Sequence, residues 1–346
     1  MRRWITGIAL ALMSMTAQAC PLCMGGAVRS PAQDLADLSR AVLATPVGNG
    51  TSYRVIAVIK GMRPEGDRVT NVLIREPASL KSGKPLLLVR DEAWPMWTSL
   101  GAVGGVHVDV LRAVAAKRPV VSDLDGWRAR IESLMPYLQN SEPLLAEMAY
   151  SESAAAPYAA LRLAKPVPKA SAIRQWLSDP RLAQRQPLYI VLLGIAGDAT
   201  DAARLEHRLS DAAGAHDATN LGAMLAADLE LRGPSRMSWI ETTYLRDRHR
   251  SQAEIDAALL ALCEQGNAHG RIPRQRIIDA YRVFMQEHRE IAGLVAEDLA
   301  AWQYWGAVPD YVALMKSGVR QQYASRAAIV AYLRQSPGGA TNADNP

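Results

Sequence analysis

Two cysteines near the amino terminus have a spacing that suits thiol chemistry. Cys20 and Cys23 are separated by two residues, and Met24 adds a thioether. Such a pair can close a small disulfide, exchange disulfides, or bind a soft metal such as Cu(I) through sulfur. A structural zinc site would need two further ligands, and no second Cys-x-x-Cys motif supplies them. An inert disulfide, copper binding and redox exchange therefore remain alternatives for this motif.

The surroundings of this motif differ from those of a thiol oxidoreductase. A redox motif opens a helix within a βαβ fold, where the helix N-terminus lowers the thiol pKa. Here the motif lies at a chain end before Gly25 and Gly26, which predicts a flexible segment. The third cysteine, Cys263, lies in an apolar helical stripe and is predicted to be a core thiol.

A second group with chemical potential follows a buried-strand candidate at residues 86–89. Asp91, Glu92, Trp94 and Trp97 bring two carboxylates and two indole rings into one short segment. If the segment is exposed, it is a candidate recognition loop, because Trp is enriched among interface anchors. The interpretation we favour is that the two Trp side chains wedge a β module against helices.

No catalytic signature accompanies these residues. The six histidines are widely spaced, and none pairs at i and i+4 as in a zinc-protease helix. The sequence contains no nucleophile elbow and no dinucleotide fingerprint. Gly101–Gly105 is predicted to lack the strand-to-helix setting that a phosphate-binding loop needs. The sequence therefore favours a protein that is not an enzyme.

The amino terminus has the three parts of a secretory signal peptide. Residues 2–3 are arginines, residues 4–15 form an apolar run without charge, and residues 17–19 end in a small residue. The run is shorter than the roughly 20 residues of a spanning helix. We therefore predict cleavage after residue 19 and a periplasmic or secreted location. A lipid anchor at Cys20 remains an alternative, although the preceding residues depart from the usual lipobox.

The charge and hydropathy patterns narrow the classes of partner. The formal net charge of +5 reflects 39 Lys and Arg against 34 Asp and Glu. The basic residues are scattered among apolar and acidic neighbours, which argues against binding to nucleic acid. No later stretch is long and apolar enough for a transmembrane segment in the mature chain.

Before residue 118, segments with strand periodicity alternate with turns rich in Gly and Pro. Residues 51–60 alternate in polarity, and residues 86–89 are continuously apolar, as in a strand buried on both faces. Residues 69–75 and 38–44 are further strand candidates. Short antiparallel strands with such turns predict a small barrel or sandwich.

From Pro119 onward, apolar residues recur three and four apart, and short breaks with Pro or Gly separate the segments. The predicted helices are 127–138, 142–149, 170–178, 186–196, 199–210, 219–231, 253–264, 274–287 and 321–334. Leu177-Ser178-Asp179 recurs as Leu209-Ser210-Asp211, which indicates helix pairs of about 32 residues within a repeat array.

The β portion resembles netrin-type and tissue-inhibitor-of-metalloprotease-like modules, which are oligonucleotide/oligosaccharide-binding-type barrels. Cys20, the strand 53–59 followed by Lys60-Gly61, and the segment 83–89 match those modules in order. Such modules join the N-terminal cysteine to a later one in the same domain. This sequence has no cysteine between Cys23 and Cys263, so the resemblance transfers no inhibitor function.

The segment Pro187–Asp198 is similar to HEAT-like repeats, in which a core helix ends at Leu-Gly and a Gly-Asp turn opens the next unit. The whole layout resembles a group of exported bacterial proteins of unknown function, with a Cys-Pro-x-Cys start, a β module and helical repeats. This resemblance implies an architecture and supplies no activity.

We therefore predict an α+β multidomain chain with a small antiparallel β barrel or sandwich followed by a HEAT-like helical array. Its parts are a signal peptide at 1–19, the β module at 20–118, the repeat domain at 119–335 and a disordered tail at 336–346. Solenoids present extended surfaces, so we expect a non-catalytic scaffold for an unknown protein partner. The alternative is a periplasmic thiol protein that uses Cys20 and Cys23.

Overall fold

A computed structural model describes residues 22–23, 29–48, 50–75, 80, 82–94 and 96–339. The predicted signal peptide, Cys20, Met24 and residues 340–346 lie outside the described residues. The described chain contains a curled sheet on its N-terminal side followed by helices. The predicted α+β layout is therefore confirmed.

The β module is one mixed sheet within the described residues. Its strands are β1 (Arg40–Val47), β2 (Ser52–Lys60), β3 (Arg68–Thr70), β4 (Val72–Ile74), β5 (Leu86–Arg90) and β6 (Trp97–Ala102). They lie in the order β3-β2-β1-β5-β6-β4. Neighbouring strands are antiparallel, except that β4 runs parallel to β6.

Asn71 determines how far this sheet curls. It alone separates β3 from β4, yet these strands lie at opposite edges of the sheet. The sheet must therefore bend until its two edges come together, as in a small barrel. The predicted single strand at 69–75 is wrong because Asn71 adopts a φ of 55°, a left-handed conformation that Asn tolerates and that interrupts a strand.

The central strands of the sheet are buried on both faces. Along β5, Leu86 and Leu88 join a small cluster of strand residues on one face. Leu87 and Val89, which point the opposite way, join the large core that also contains the helices. This double burial explains why β5 is continuously apolar, as the sequence predicted.

Helices also occur before Pro119 among the described residues, so the prediction that they begin only there is wrong. The first is α1 (Pro31–Asp37), which starts at a capping box between Ser30 and Gln33. The second is α2 (Val108–Ala115), which follows β6. Both are short, and a short amphipathic segment gives a weak periodic signal.

The remaining helices carry the bulk of the core. They are α3 (Leu124–Leu134), α4 (Pro143–Ala155), α5 (Tyr158–Leu163), α6 (Ala170–Leu177), α7 (Gln186–Ala196), α8 (Ala199–Ala215), α9 (Leu221–Arg232), α10 (Met237–Ile240), α11 (Gln252–Asn267), α12 (Arg274–Glu287), α13 (Ala296–Ala301), α14 (Val308–Lys316) and α15 (Tyr323–Gln335). The bounds predicted for α7 and α12 are confirmed.

The recurring Leu-Ser-Asp motif does not mark equivalent positions. Leu177 is the last residue of α6, whereas Leu209 lies inside α8, which continues to Ala215. The motif therefore does not itself mark a repeat, and the array of helix pairs stays a prediction. The composition of the motif is compatible with both settings, because Ser and Asp occur at helix ends and on exposed helix faces.

A buried ion triad of Glu152, Arg118 and Arg130 joins the end of α2 to α3 and α4. Glu152 on α4 is fully buried and accepts from both Arg118 and Arg130. Arg130 also donates to the carbonyl of Val114 at 2.9 Å, near the end of α2. Two guanidinium groups around one buried carboxylate leave its charge compensated.

Candidate functional site

The described part of the Cys-x-x-Cys motif is packed into the helical core. Cys23 is 0% exposed, and Leu22 beside it is also buried. Leu22 lies against Gly222 on α9, where an added Cβ would come within 3.2 Å of Leu22 Cδ2. The prediction of a flexible motif is therefore wrong for these two residues. Cys20 and Met24 lie outside the described residues, so a disulfide or copper site stays a prediction.

Tyr150 on α4 is a titratable group that lies close enough to Cys23 to be affected by its charge. Burial raises the pKa of Tyr150 to about 12, and the charges of Glu147 and Cys23 act in the same direction. The Arg185 guanidinium lies 4.9 Å from the Tyr150 ring and pairs with Glu147 at 2.7 Å. Arg185 therefore provides the positive charge beside the Tyr150 ring.

Tyr189 on α7 connects this region to the protein surface. The ring is fully buried, and its hydroxyl accepts a hydrogen bond of 2.5 Å from Gln139. Burial raises the pKa of Tyr189, while Arg185 opposes that shift. The Trp176 ring lies 5.2 Å from the Tyr189 ring. Gln139 and Trp176 thus lie between the buried Tyr189 side chain and solvent.

Both of these residues line an open cleft, which we call the Trp176 cleft. It has a volume of about 420 Å³ and is open to solvent on one side. Its walls are mainly apolar, with a few polar groups, as in many ligand sites. The lining residues are Met135, Pro136, Gln139, Pro166, Val167, Pro168, Lys169, Ser171, Ala172 and Trp176.

Prolines shape two walls of the Trp176 cleft. Pro136 lies in the 3₁₀ turn Met135–Tyr137 that ends α3. Pro166 and Pro168 lie between α5 and α6, where they prevent a continuous helix and present their rings as a wall. The third wall is α6, which buries Ile173 and leaves Trp176 half-buried.

The described lining residues of the Trp176 cleft carry one positive charge and no negative charge. Lys169 is its only charged lining residue, and its side chain is exposed. Within the described residues Lys169 forms no ion pair, whereas Arg174 on the same helix pairs with Asp201 at 2.8 Å. Among the described residues, no carboxylate therefore forms an ion pair with the ammonium group at this rim.

The structure exposes part of the predicted recognition loop and buries the rest. Asp91, Glu92 and Trp94 are exposed, with Trp94 at 60%. Trp97 begins β6 and is buried in the cluster of strand residues, with the Arg90 guanidinium 5.7 Å from its ring. The favoured interpretation, in which both Trp side chains wedge the β module against helices, is therefore wrong. One ring is in solvent, and the other fills the sheet's own interior.

Gly101–Gly105 does connect a strand to a helix, contrary to the sequence-based prediction. It joins β6 to α2, which the sequence analysis missed because neither element was recognised. The Gly104 amide donates a hydrogen bond of 2.7 Å to Glu142, and Lys84 pairs with the same carboxylate at 3.3 Å. The Gly104 amide, which a bound phosphate would need as a donor, therefore already donates to the Glu142 carboxylate.

Cys263 is half-buried and belongs to a polar network, which the prediction of a core thiol did not include. Its Sγ donates to Asp298 at 3.0 Å, and Tyr281 donates to the other oxygen of Asp298 at 2.7 Å. Burial raises the pKa of the Cys263 thiol well above its usual range, and the charge of Asp298 adds to the shift. This keeps the thiol protonated and unreactive at neutral pH.

Sequence reasoning missed the Trp176 cleft because its walls come from separate segments. The local signal that could have indicated it is Lys165–Lys169, a stretch with two prolines shortly before Trp176. Among the described residues, no group of three His, Cys, Asp or Glu side chains is placed to hold a metal ion. No helix of that part of the chain has the length and apolarity to cross a membrane.

Comparisons with known proteins add no relative to this description. No protein-family model matches the chain, and no significant match was found among curated proteins or solved structures.

Proposed function

We propose that this chain is an exported, non-catalytic binding protein whose helical array holds a partner polypeptide in the Trp176 cleft. The observation that carries the proposal is the cleft itself, an open apolar concavity with an aromatic side chain and a few polar groups. Concave sites of this composition are where proteins bind ligands.

The packing of Trp176 against buried residues suits a role in binding. Its ring lies 5.2 Å from that of Tyr189, which is fully buried and bonded to Gln139. A half-buried Trp whose position is set by core residues loses little side-chain entropy when a partner covers it. Trp anchors of this kind are enriched among the residues that dominate binding energies.

The alternative function, a thiol protein that uses Cys20 and Cys23, receives less support. Disulfide exchange requires the attacking or attacked sulfur to be accessible. Cys23 is 0% exposed and lies in the helical core. Burial of this thiol therefore favours binding through the helical array over thiol exchange. Export and a possible lipid anchor at Cys20 stay predictions that rest on the sequence.

The test is site-specific photo-crosslinking in the native host. A photoreactive phenylalanine derivative replaces Ser171 in the cleft or, as a matched control, Thr200, because both are exposed second residues of their helices. We expect a discrete protein adduct from position 171 and none from position 200. Ser171 adducts that are absent, or equal to those at Thr200, would refute a partner-binding cleft.

A further inference from the structure

We infer that the Trp176 cleft binds the carboxyl-terminal end of a partner polypeptide whose last residue is apolar. This inference rests on the proposed binding function and adds the chemistry of the occupant. It combines the apolar wall, the single positive charge and the open shape of the cleft.

The walls select an apolar side chain. Val167 and Trp176 contribute aliphatic and aromatic surface, and the three prolines add rings without side-chain donors. Burying a large apolar side chain here releases water from both surfaces and stabilises the complex. A charged side chain would lose hydration against these apolar walls, where the described lining offers no ion-pair partner apart from Lys169 at the rim.

The rim selects a negative charge. Lys169 is the one charged lining residue, and no carboxylate of the described residues pairs with it. The Ser171 hydroxyl and the Gln139 amide are the other polar side chains of the lining. A carboxylate forms an ion pair with a Lys ammonium group, whereas a neutral amide only accepts a hydrogen bond from it.

The shape of the cleft favours a chain end over a free small molecule. Sites for small ligands enclose most of the ligand surface, whereas this cleft is open to solvent on one side. Its volume of about 420 Å³ lies toward the small end of the range for ligand sites. The last few residues of a polypeptide can occupy it while the rest of that chain leaves through the open side.

The test uses the mature chain and a fluorescein-labelled peptide of sequence Gly-Ser-Gly-Ser-Leu, with either a free carboxylate or a terminal amide. Fluorescence anisotropy at low ionic strength gives the Kd of each peptide, because salt would screen an exposed Lys. We expect the free acid to bind about twofold to fivefold more tightly than the amide, as for an exposed ion pair. A free-acid peptide that ends in Asp instead of Leu should bind as weakly as the amide.

Two variants assign this preference to the cleft. Lys169→Gln should remove the preference for the free acid, whereas Lys316→Gln, which removes an exposed Lys from α14, should keep it. Ser171→Trp should block both peptides by filling the cleft. Thr200→Trp adds the same bulk to α8 outside the cleft and should leave both Kd values unchanged.

The outcomes separate this inference from the proposed function. Equal binding of acid and amide that Ser171→Trp abolishes would overturn the carboxylate inference while supporting the cleft as a binding site. Absence of binding by both peptides, together with a Ser171 crosslink in the host, would overturn the inference alone. Absence of both signals would overturn the inference and the proposed function together.

Discussion

The Gly104 amide donates a hydrogen bond of 2.7 Å to Oε2 of Glu142, and this bond joins the loop after β6 to the residue that precedes α4. Glu142 is only 8% exposed and also pairs with Lys84. One carboxylate thus connects a strand end, a loop amide and a helix start, so it fastens the β module to the helices.

Glu142→Ala should lower the free energy of unfolding by about 1–3 kcal/mol, because it leaves the Gly104 amide without its acceptor. Glu142→Gln keeps an acceptor oxygen and loses only the ionic component, so its cost should be smaller. Urea unfolding followed by circular dichroism measures both changes. Glu65→Ala, at an exposed position, is the control and should have little effect. Equal stability of all three variants would contradict a fastening role for Glu142.

Close packing of α7 on α9 gives a second prediction. A Cβ added at Gly194 would lie 2.6 Å from Ala227 Cα, so Gly194→Ala should destabilise the protein by about 1–3 kcal/mol. Gly214 lies inside α8 with nothing within 4 Å of its added Cβ. Gly214→Ala should therefore stabilise the protein by about 0.5–1 kcal/mol through helix propensity. Thermal unfolding of both variants checks the opposite signs.

Glu264 on α11 should make the native state less stable as the pH rises. Burial raises its pKa from 4.5 to about 7, and the charge of Asp298 contributes to the shift. The native state therefore binds more protons than the unfolded state, and stability falls between about pH 4.5 and pH 7. Glu264→Gln should raise Tm at pH 8 and change it little at pH 4.5. An equal change at both pH values would contradict this assignment.

Glu254 on the same helix should act in the opposite direction. Burial alone would raise its pKa, but hydrogen bonds from Arg250, Ser251 and His216 outweigh burial and lower the pKa to about 2. Its contribution to stability is present above about pH 4.5 and is lost as the pH falls toward 2. Glu254→Gln should therefore lower Tm at pH 7 and have a smaller effect near pH 2. A higher Tm at pH 7 would refute the prediction.

The burial of Cys23 predicts slow alkylation in the native state. With Cys20 and Cys263 replaced by Ser, iodoacetamide should modify Cys23 at least about a hundredfold more slowly in buffer than in urea, since reaction requires opening of the core. Ser171→Cys, in a background without other cysteines, is the exposed control and should react readily in buffer. Mass spectrometry measures both rates. Native Cys23 that reacts as fast as the control would make the thiol function the leading hypothesis instead of the binding function.

The sequence by itself determined the elements whose apolar period is long and regular. Residues 52–60 form the predicted strand, and the bounds of Gln186–Ala196 match the prediction, because alternation or a 3.6-residue period is a local property. The α+β layout follows from the order of these elements. Short elements such as β6 and α1 were missed because a few residues carry too little periodic signal.

Only the tertiary structure decided which residues meet. The curl of the sheet at Asn71, the burial of Cys23 beside α9 and the separation of Trp94 from Trp97 all depend on contacts between distant segments. The Trp176 cleft likewise combines walls from three parts of the chain. A periodic pattern records which face of one element avoids water, but it does not record which other element covers that face. That choice is made by side-chain packing across the whole core.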